Sequence, residues 1–208
     1  MVDYPRGGFP SKHHNLIRDL TANLMTEACE GVAIQLPLQP LNSERFSYKI
    51  AITEDNARSD ICAQGFWGND SQRAYFGVRI CNPTAQSYRK SSLEAVYQFQ
   101  ERGKRRQYEE RIREVEMSSF TPLVFSIFGG MSKSTAVAYK HLADLISAKR
   151  GEPYGQVILW IRIKINFALL KSSINAIRGY RSRQGRPVRF DSFTLANNDC
   201  RPCVQPSI

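Results

Sequence analysis

The stretch RAYFGVRIC, residues 73–81, predicts a buried β-strand because β-branched and aromatic residues fill most of it. Gly77 stands at its centre, where glycine weakens a strand and offers no side chain for packing. The preceding WGNDSQ (67–72) has the composition of a turn, and RSDICAQGF (58–66) predicts another strand. We therefore expect an antiparallel hairpin with Asp60 on its first strand and Gly77 on its second.

Working outward from the hairpin, apolar spacing and turn residues predict the remaining elements. Gly31 is expected to stop the first helix, Gly103 to weaken the long charged helix, and Ser132 to cap the helix after it. The predicted elements are a helix over 12–29, a strand over 32–36, a helix over 90–116, a strand over 121–128, and helices over 132–149 and 155–178. Residues 50–53 are a candidate edge strand outside this order.

This order predicts an α/β fold with a mixed sheet, built as an α-β-β-β-α-β core followed by C-terminal helices. We expect the core to span residues 1–128 and the C-terminal helices, packed on it, residues 129–179. After Gly179 the chain becomes polar and irregular, which predicts a basic, disordered tail over 180–208.

The charge is strongly asymmetric. The net charge is +10, and the residues from Lys133 onward contain 13 Lys or Arg against 4 acidic residues. Such an excess indicates a polyanionic partner, most simply DNA, with RNA as another option. A basic, solubilising surface explains the same excess equally well.

Cysteine usage and hydropathy indicate an intracellular protein without a membrane span. Five widely spaced cysteines favour reduced thiols, and the lone CRPC (200–203) lacks the further ligands of a zinc site. The most apolar run, QVILWIRIKINFALL, carries Arg162 and Lys164 at its middle and predicts a core helix instead. We expect Trp160, Phe167 and Leu170 to lie in the core.

An acid on each of two adjacent strands of such a core is the arrangement of PD-(D/E)XK nucleases. Phosphodiester hydrolysis uses Mg²⁺ held by carboxylates, and a nearby lysine stabilises the charge that builds on phosphorus. Asp60 supplies the first acid, but Gly77 and Arg79 stand where D-x-K or E-x-K would stand. The alternative is that Asp60 is a surface acid and Gly77 a strand bulge.

A set of ordered motifs over residues 6–183 resembles the restriction-like endonuclease that follows reverse transcriptase in some non-LTR retrotransposons. The motifs include KHHN (12–15), ARSDICAQGFW (57–67), AYFGVRICNP (74–83), KRRQYEERIREVE (104–116) and SFTPLVFSIFGGM (119–131). The resemblance implies that the family's second carboxylate falls on Gly77, that His14 belongs to its R-H-N signature, and that Lys104, with Tyr108 beside it, is the catalytic lysine.

Because Gly77 replaces the second carboxylate of the family, we expect a metal site reduced to Asp60, with weak Mg²⁺ binding and little or no nuclease activity. The alternative is a non-catalytic remnant that binds nucleic acid through its basic half, in the nucleus if the partner is DNA. A third option is an interaction module without a nucleic-acid role. His14 could instead fix the chain entry, and the basic residues of the long helix could be a solvated face. The predicted phosphate-contacting residues are Arg105, Arg106, Arg178, Arg181, Arg183 and Arg186.

Overall fold

A computed structural model describes residues 9–39, 57–68 and 71–181, and it has the predicted α/β order. Within these ranges four strands and four α-helices follow one another in the order that the sequence predicts, with one additional short 3₁₀ turn. The elements are α1 (Phe9–Thr26), β1 (Glu30–Ile34), β2 (Ile61–Gln64), β3 (Arg73–Cys81), the 3₁₀ turn (Gln86–Tyr88), α2 (Leu93–Glu114), β4 (Ser119–Ser126), α3 (Lys133–Arg150) and α4 (Tyr154–Arg181).

The strands form one mixed sheet in the order β1-β2-β3-β4. The first two pairings are antiparallel, and β3 pairs with β4 in parallel. In the β2–β3 hairpin Ile61 lies opposite Phe76, and in the parallel pair Gly77 lies opposite Pro122. The predicted hairpin and the mixed character of the sheet are confirmed.

Helices cover both faces of the sheet. Ile61, Phe76 and Val78 point toward one face, where they share a core with buried residues of α1, α3 and α4. Cys62 and Tyr75 point toward the other face and pack with residues of α2. Because side chains alternate along a strand, residues 60 and 77 fall on the α2 face.

A local signal explains the start of α3, and two of the glycines singled out in the sequence lie inside regular elements. The Ser132 hydroxyl accepts a hydrogen bond from the Thr135 amide, which confirms the predicted cap of α3. Gly31 does not end α1, which stops at Thr26; it lies in β1 with φ +54°, a conformation that glycine adopts easily. Gly103 does not interrupt α2, because packing against the sheet outweighs its weak helix propensity.

The prediction for the outer side of α4 is wrong. Phe167 and Leu170 are 66% and 54% exposed, whereas Trp160 is half-buried and packs against the core. The core-facing side is a different apolar row, formed by Val157, Ile161, Ile165 and Leu169. The helix carries two apolar rows, and only one of them faces the protein.

Several expectations concern residues that the structure does not describe. The strand over 50–53 and the tail beyond Arg181, with Arg183, Arg186 and the CRPC motif, lie outside the described ranges. Within those ranges Cys29, Cys62 and Cys81 are buried free thiols. None of the helices found there has the length and apolar character needed to cross a membrane.

Candidate functional site

Asp60 and Gly77 lie next to each other at one end of the β2–β3 pairing. Asp60 directly precedes β2 rather than lying within it. The Ile61–Phe76 pair is the last of the hairpin at this end, so one further step along both chains sets Asp60 opposite Gly77. The two residues predicted to share a site are therefore neighbours on adjacent chain segments.

The Asp60 carboxylate is held by three groups. Its Oδ1 lies 3.1 Å from His14 Nε2, and its Oδ2 lies 3.2 Å from Lys104 Nζ. The Val78 amide also donates to Oδ2, at 2.8 Å. The Asp60 side chain is only 15% exposed and that of Lys104 13%. Both carboxylate oxygens are thus engaged within a largely buried cluster that joins α1, β3 and α2.

This environment keeps Asp60 ionised. Burial alone would raise the pKa of Asp60, but the hydrogen bond from His14 and the charge of Lys104 outweigh it, so the pKa lies below its ordinary value. Asp60 is therefore a carboxylate at neutral pH, and its charge is balanced by side chains of the protein itself.

Phe120 fills the space beside Gly77. A Cβ atom placed on Gly77 would lie 2.8 Å from Phe120 Cζ and 3.4 Å from Lys104 Cδ. The open side of Gly77 consequently faces α2, as the Asp60 carboxylate does. Where a second carboxylate would extend from residue 77, the aromatic ring of Phe120 leaves no room for it.

Tyr108 lies beside this ring and one helical turn after Lys104. Its ring centroid is 5.7 Å from that of Phe120 and 5.1 Å from Lys104 Nζ. Burial and the Asp60 charge raise the pKa of the Tyr108 hydroxyl, which stays protonated at neutral pH. Residues four apart on a helix share a face, so α2 presents the ammonium group and the phenol to the sheet together.

The structure therefore brings together His14, Asp60, Gly77, Lys104 and Tyr108. It does not place the predicted arginines with them. The exposed Arg79 donates to Gln100 Oε1 at 3.0 Å.

The arginines predicted to contact phosphate lie elsewhere. Arg105 pairs with Glu109 at 2.7 Å, as expected for a charged helix surface, while Arg106 is exposed. Arg178 and Arg181 lie in the last two turns of α4, where only the backbone is described.

The residues at this site do not fit Mg²⁺. Mg²⁺ prefers an octahedral shell rich in oxygen ligands, whereas Asp60 is the single carboxylate found in the cluster and one of its oxygens already pairs with an ammonium group. Among the described residues there is no group of three or more His, Cys, Asp or Glu side chains that could hold a metal ion. The lysine supplies the positive charge that a cation would otherwise bring.

Sequence reasoning missed two contributors, Phe120 and the Val78 amide. Phe120 belongs to an apolar strand with no sign of a special role, and only the parallel register of β3 and β4 brings it over Gly77. The Val78 amide carries no side-chain signal at all. Neither protein-family models nor curated proteins give a match to this chain.

Proposed function

We propose that this chain is an endonuclease-like domain of the PD-(D/E)XK type that has lost catalysis and retains nucleic-acid binding. The observation that supports it is the convergence of Asp60, the open side of Gly77 and Lys104 on one face of the sheet. A carboxylate, an adjacent ligand position and a lysine are the groups that metal-dependent phosphodiester cleavage uses. The same three positions lie within the motifs that resemble the retroelement endonuclease.

Loss of catalysis follows from two features of the cluster. Gly77 supplies no oxygen donor, and Phe120 occupies the space a longer side chain would need. Lys104 is close enough to Asp60 to neutralise it, at 3.2 Å. A metal ion would therefore have to displace an internal ion pair and would gain a single carboxylate in return.

Nucleic-acid binding is supported by the distribution of charge. The chain carries +10 in total, and helix α4 (Tyr154–Arg181) contains five basic residues and no acid. Outside the Asp60 cluster, the exposed Arg79 and Arg106 add positive charge to the surface. Contacts between cations and phosphates release counterions, so we expect binding that depends little on sequence and weakens steeply with salt.

The test compares the wild-type chain with Asp60→Asn in two assays. Supercoiled plasmid in Mg²⁺ or Mn²⁺ should remain uncut by both proteins. A labelled duplex should bind both at low salt, with log affinity falling linearly as log salt rises. Nicking by the wild type that Asp60→Asn abolishes would show a working nuclease. Failure to bind DNA or RNA at low salt would exclude the nucleic-acid role.

A further inference from the structure

The outer side of α4 carries apolar residues at coiled-coil spacing. The steps between them are three, four, three and four residues, which is the a/d pattern of a heptad repeat. From Ile163 onward these side chains are 39–66% exposed. We call this row the α4 seam; its residues are Trp160, Ile163, Phe167, Leu170 and Ile174.

The seam is unusual for an outer helix face. A surface helix normally buries one apolar row and turns polar residues outward. Here the inner row already packs in the core, so from Ile163 onward the seam is a second and unsatisfied row. The loop after β4 lies against a flank of the seam: a Cβ added at Gly129 would lie 2.8 Å from Asn166 Oδ1, and the preceding Phe128 is 67% exposed. Contiguous exposed apolar surface of this kind marks interaction sites.

The residues on either side of the seam, at the e and g positions of the heptad, indicate which charge a partner helix would need. With Phe167 and Ile174 at a positions, Lys164 and Lys171 occupy e positions, and the g positions Asn166 and Ser173 are neutral. Residues at e and g select the partner of a coiled coil through their charges. Because the charged flanking residues are lysines and α4 contains no acidic residue, carboxylates on a partner would complement this surface.

We propose that the α4 seam is a docking surface for an acidic amphipathic helix of a partner protein. The partner would carry apolar residues at heptad spacing, with Glu or Asp opposite Lys164 and Lys171. This proposal is independent of the Asp60 cluster, but it uses Lys164 and Lys171, which also belong to the basic residues of α4 that support nucleic-acid binding.

Two other occupants fit the observations less well. A second copy of the chain would bring lysines against lysines in an antiparallel pair and against neutral residues in a parallel pair. A helix lying on a lipid surface needs a broad apolar face, whereas from Ile163 onward the large exposed apolar residues that the structure describes on α4 are confined to the a and d positions. At the start of the seam, two cations cover the Trp160 ring. Lys164 Nζ lies 3.9 Å from the ring centre, and Arg150 Cζ lies 4.6 Å from it.

The test uses two fluorescent synthetic peptides of about four heptads. They share Ile at a and Leu at d, and differ in having Glu or Lys at every e and g position. Anisotropy titration against the full chain should show that the Glu peptide binds about tenfold or more tightly than the Lys peptide. Lys164→Glu/Lys171→Glu should reverse that preference.

A matched pair of variants locates the binding surface. Phe167→Asp should weaken binding of the Glu peptide by about tenfold or more. Leu93→Asp should leave it unchanged, because Leu93 is similarly exposed, at 51%, on α2 across the sheet. Circular dichroism verifies that both variants fold.

Three results would overturn the proposal. The first is that neither peptide binds, or that Phe167→Asp binds the Glu peptide as tightly as the wild type does. The second is a wild-type dimer in sedimentation that Phe167→Asp converts to a monomer. The third is binding to phosphatidylserine vesicles that Phe167→Asp abolishes while no peptide binds.

Discussion

Adding one methyl group at Gly77 should destabilise the protein through Phe120. In Gly77→Ala the new Cβ would lie 2.8 Å from Phe120 Cζ and 3.2 Å from Cε2, closer than carbon atoms pack. Overpacking a well-filled core costs about 1–3 kcal/mol. Replacing a strand glycine by alanine returns about 0.5–1 kcal/mol of backbone entropy. The expected net loss in unfolding free energy is therefore between about 0 and 2.5 kcal/mol, with a middle value of about 1 kcal/mol, measured by urea denaturation followed by circular dichroism.

A double-mutant cycle with Phe120→Leu assigns this cost to the ring. Leucine lacks both atoms that the new methyl group would meet, so Gly77→Ala in the Phe120→Leu background should be neutral or stabilising by up to about 1 kcal/mol. Gly103→Ala is the control: nothing lies within 4 Å of its added Cβ, and it should stabilise both backgrounds by about 0.5–1 kcal/mol. An equal cost of Gly77→Ala in both backgrounds would refute the assignment of this space to Phe120.

Further predictions concern charge and thiol reactivity. Because the pKa of Asp60 is lowered on folding, its stabilisation is present at neutral pH and is lost as the pH falls below about 3.9 and through the folded value. The difference in urea midpoint between wild type and Asp60→Asn should therefore shrink between pH 7 and pH 3, and a constant difference would contradict this. Lys104→Met leaves a mostly buried carboxylate with one partner fewer, while His14 and the Val78 amide remain, and should cost about 1–3 kcal/mol at pH 7. A similar cost in the Asp60→Asn background would show that the ion pair is not responsible. Burial raises the pKa values of Cys29, Cys62 and Cys81, so in a Cys200→Ser/Cys203→Ser variant all three thiols should react slowly with Ellman's reagent until the protein unfolds. Rapid reaction of the folded variant would contradict their burial.

The sequence predicts the hairpin well because its signals are local. Turn residues between two β-rich runs determine which strands pair, and alternation then gives the face on which Asp60 and residue 77 lie. Ser132 likewise caps a helix through a bond to a residue three positions away. Such features depend on neighbours in the chain, so a single sequence contains the information.

Features that depend on packing between distant elements could not be predicted. Nothing in SFTPLVF indicates which residue of β3 its phenylalanine will meet, since alternation does not fix a parallel register. The contact between His14 and Asp60 depends on how α1 crosses the end of the hairpin. For α4, the sequence shows two apolar rows, and periodicity alone does not tell which row faces the core; Phe167 and Leu170 were therefore misassigned.

We have proposed that residue 77 is a cation-ligand position left without its ligand. The test compares the Mn²⁺ affinities of two double variants, measured by electron paramagnetic resonance. Gly77→Asp/Phe120→Ala adds a carboxylate at residue 77, and Gly77→Asn/Phe120→Ala is its neutral isostere. In both variants Phe120→Ala makes room for the new side chain. A restored carboxylate beside Asp60 should bind Mn²⁺ about tenfold or more tightly than the asparagine variant, and adding Asp60→Asn should remove that gain. Equal Mn²⁺ affinity of the aspartate and asparagine variants, both folded, would contradict the account.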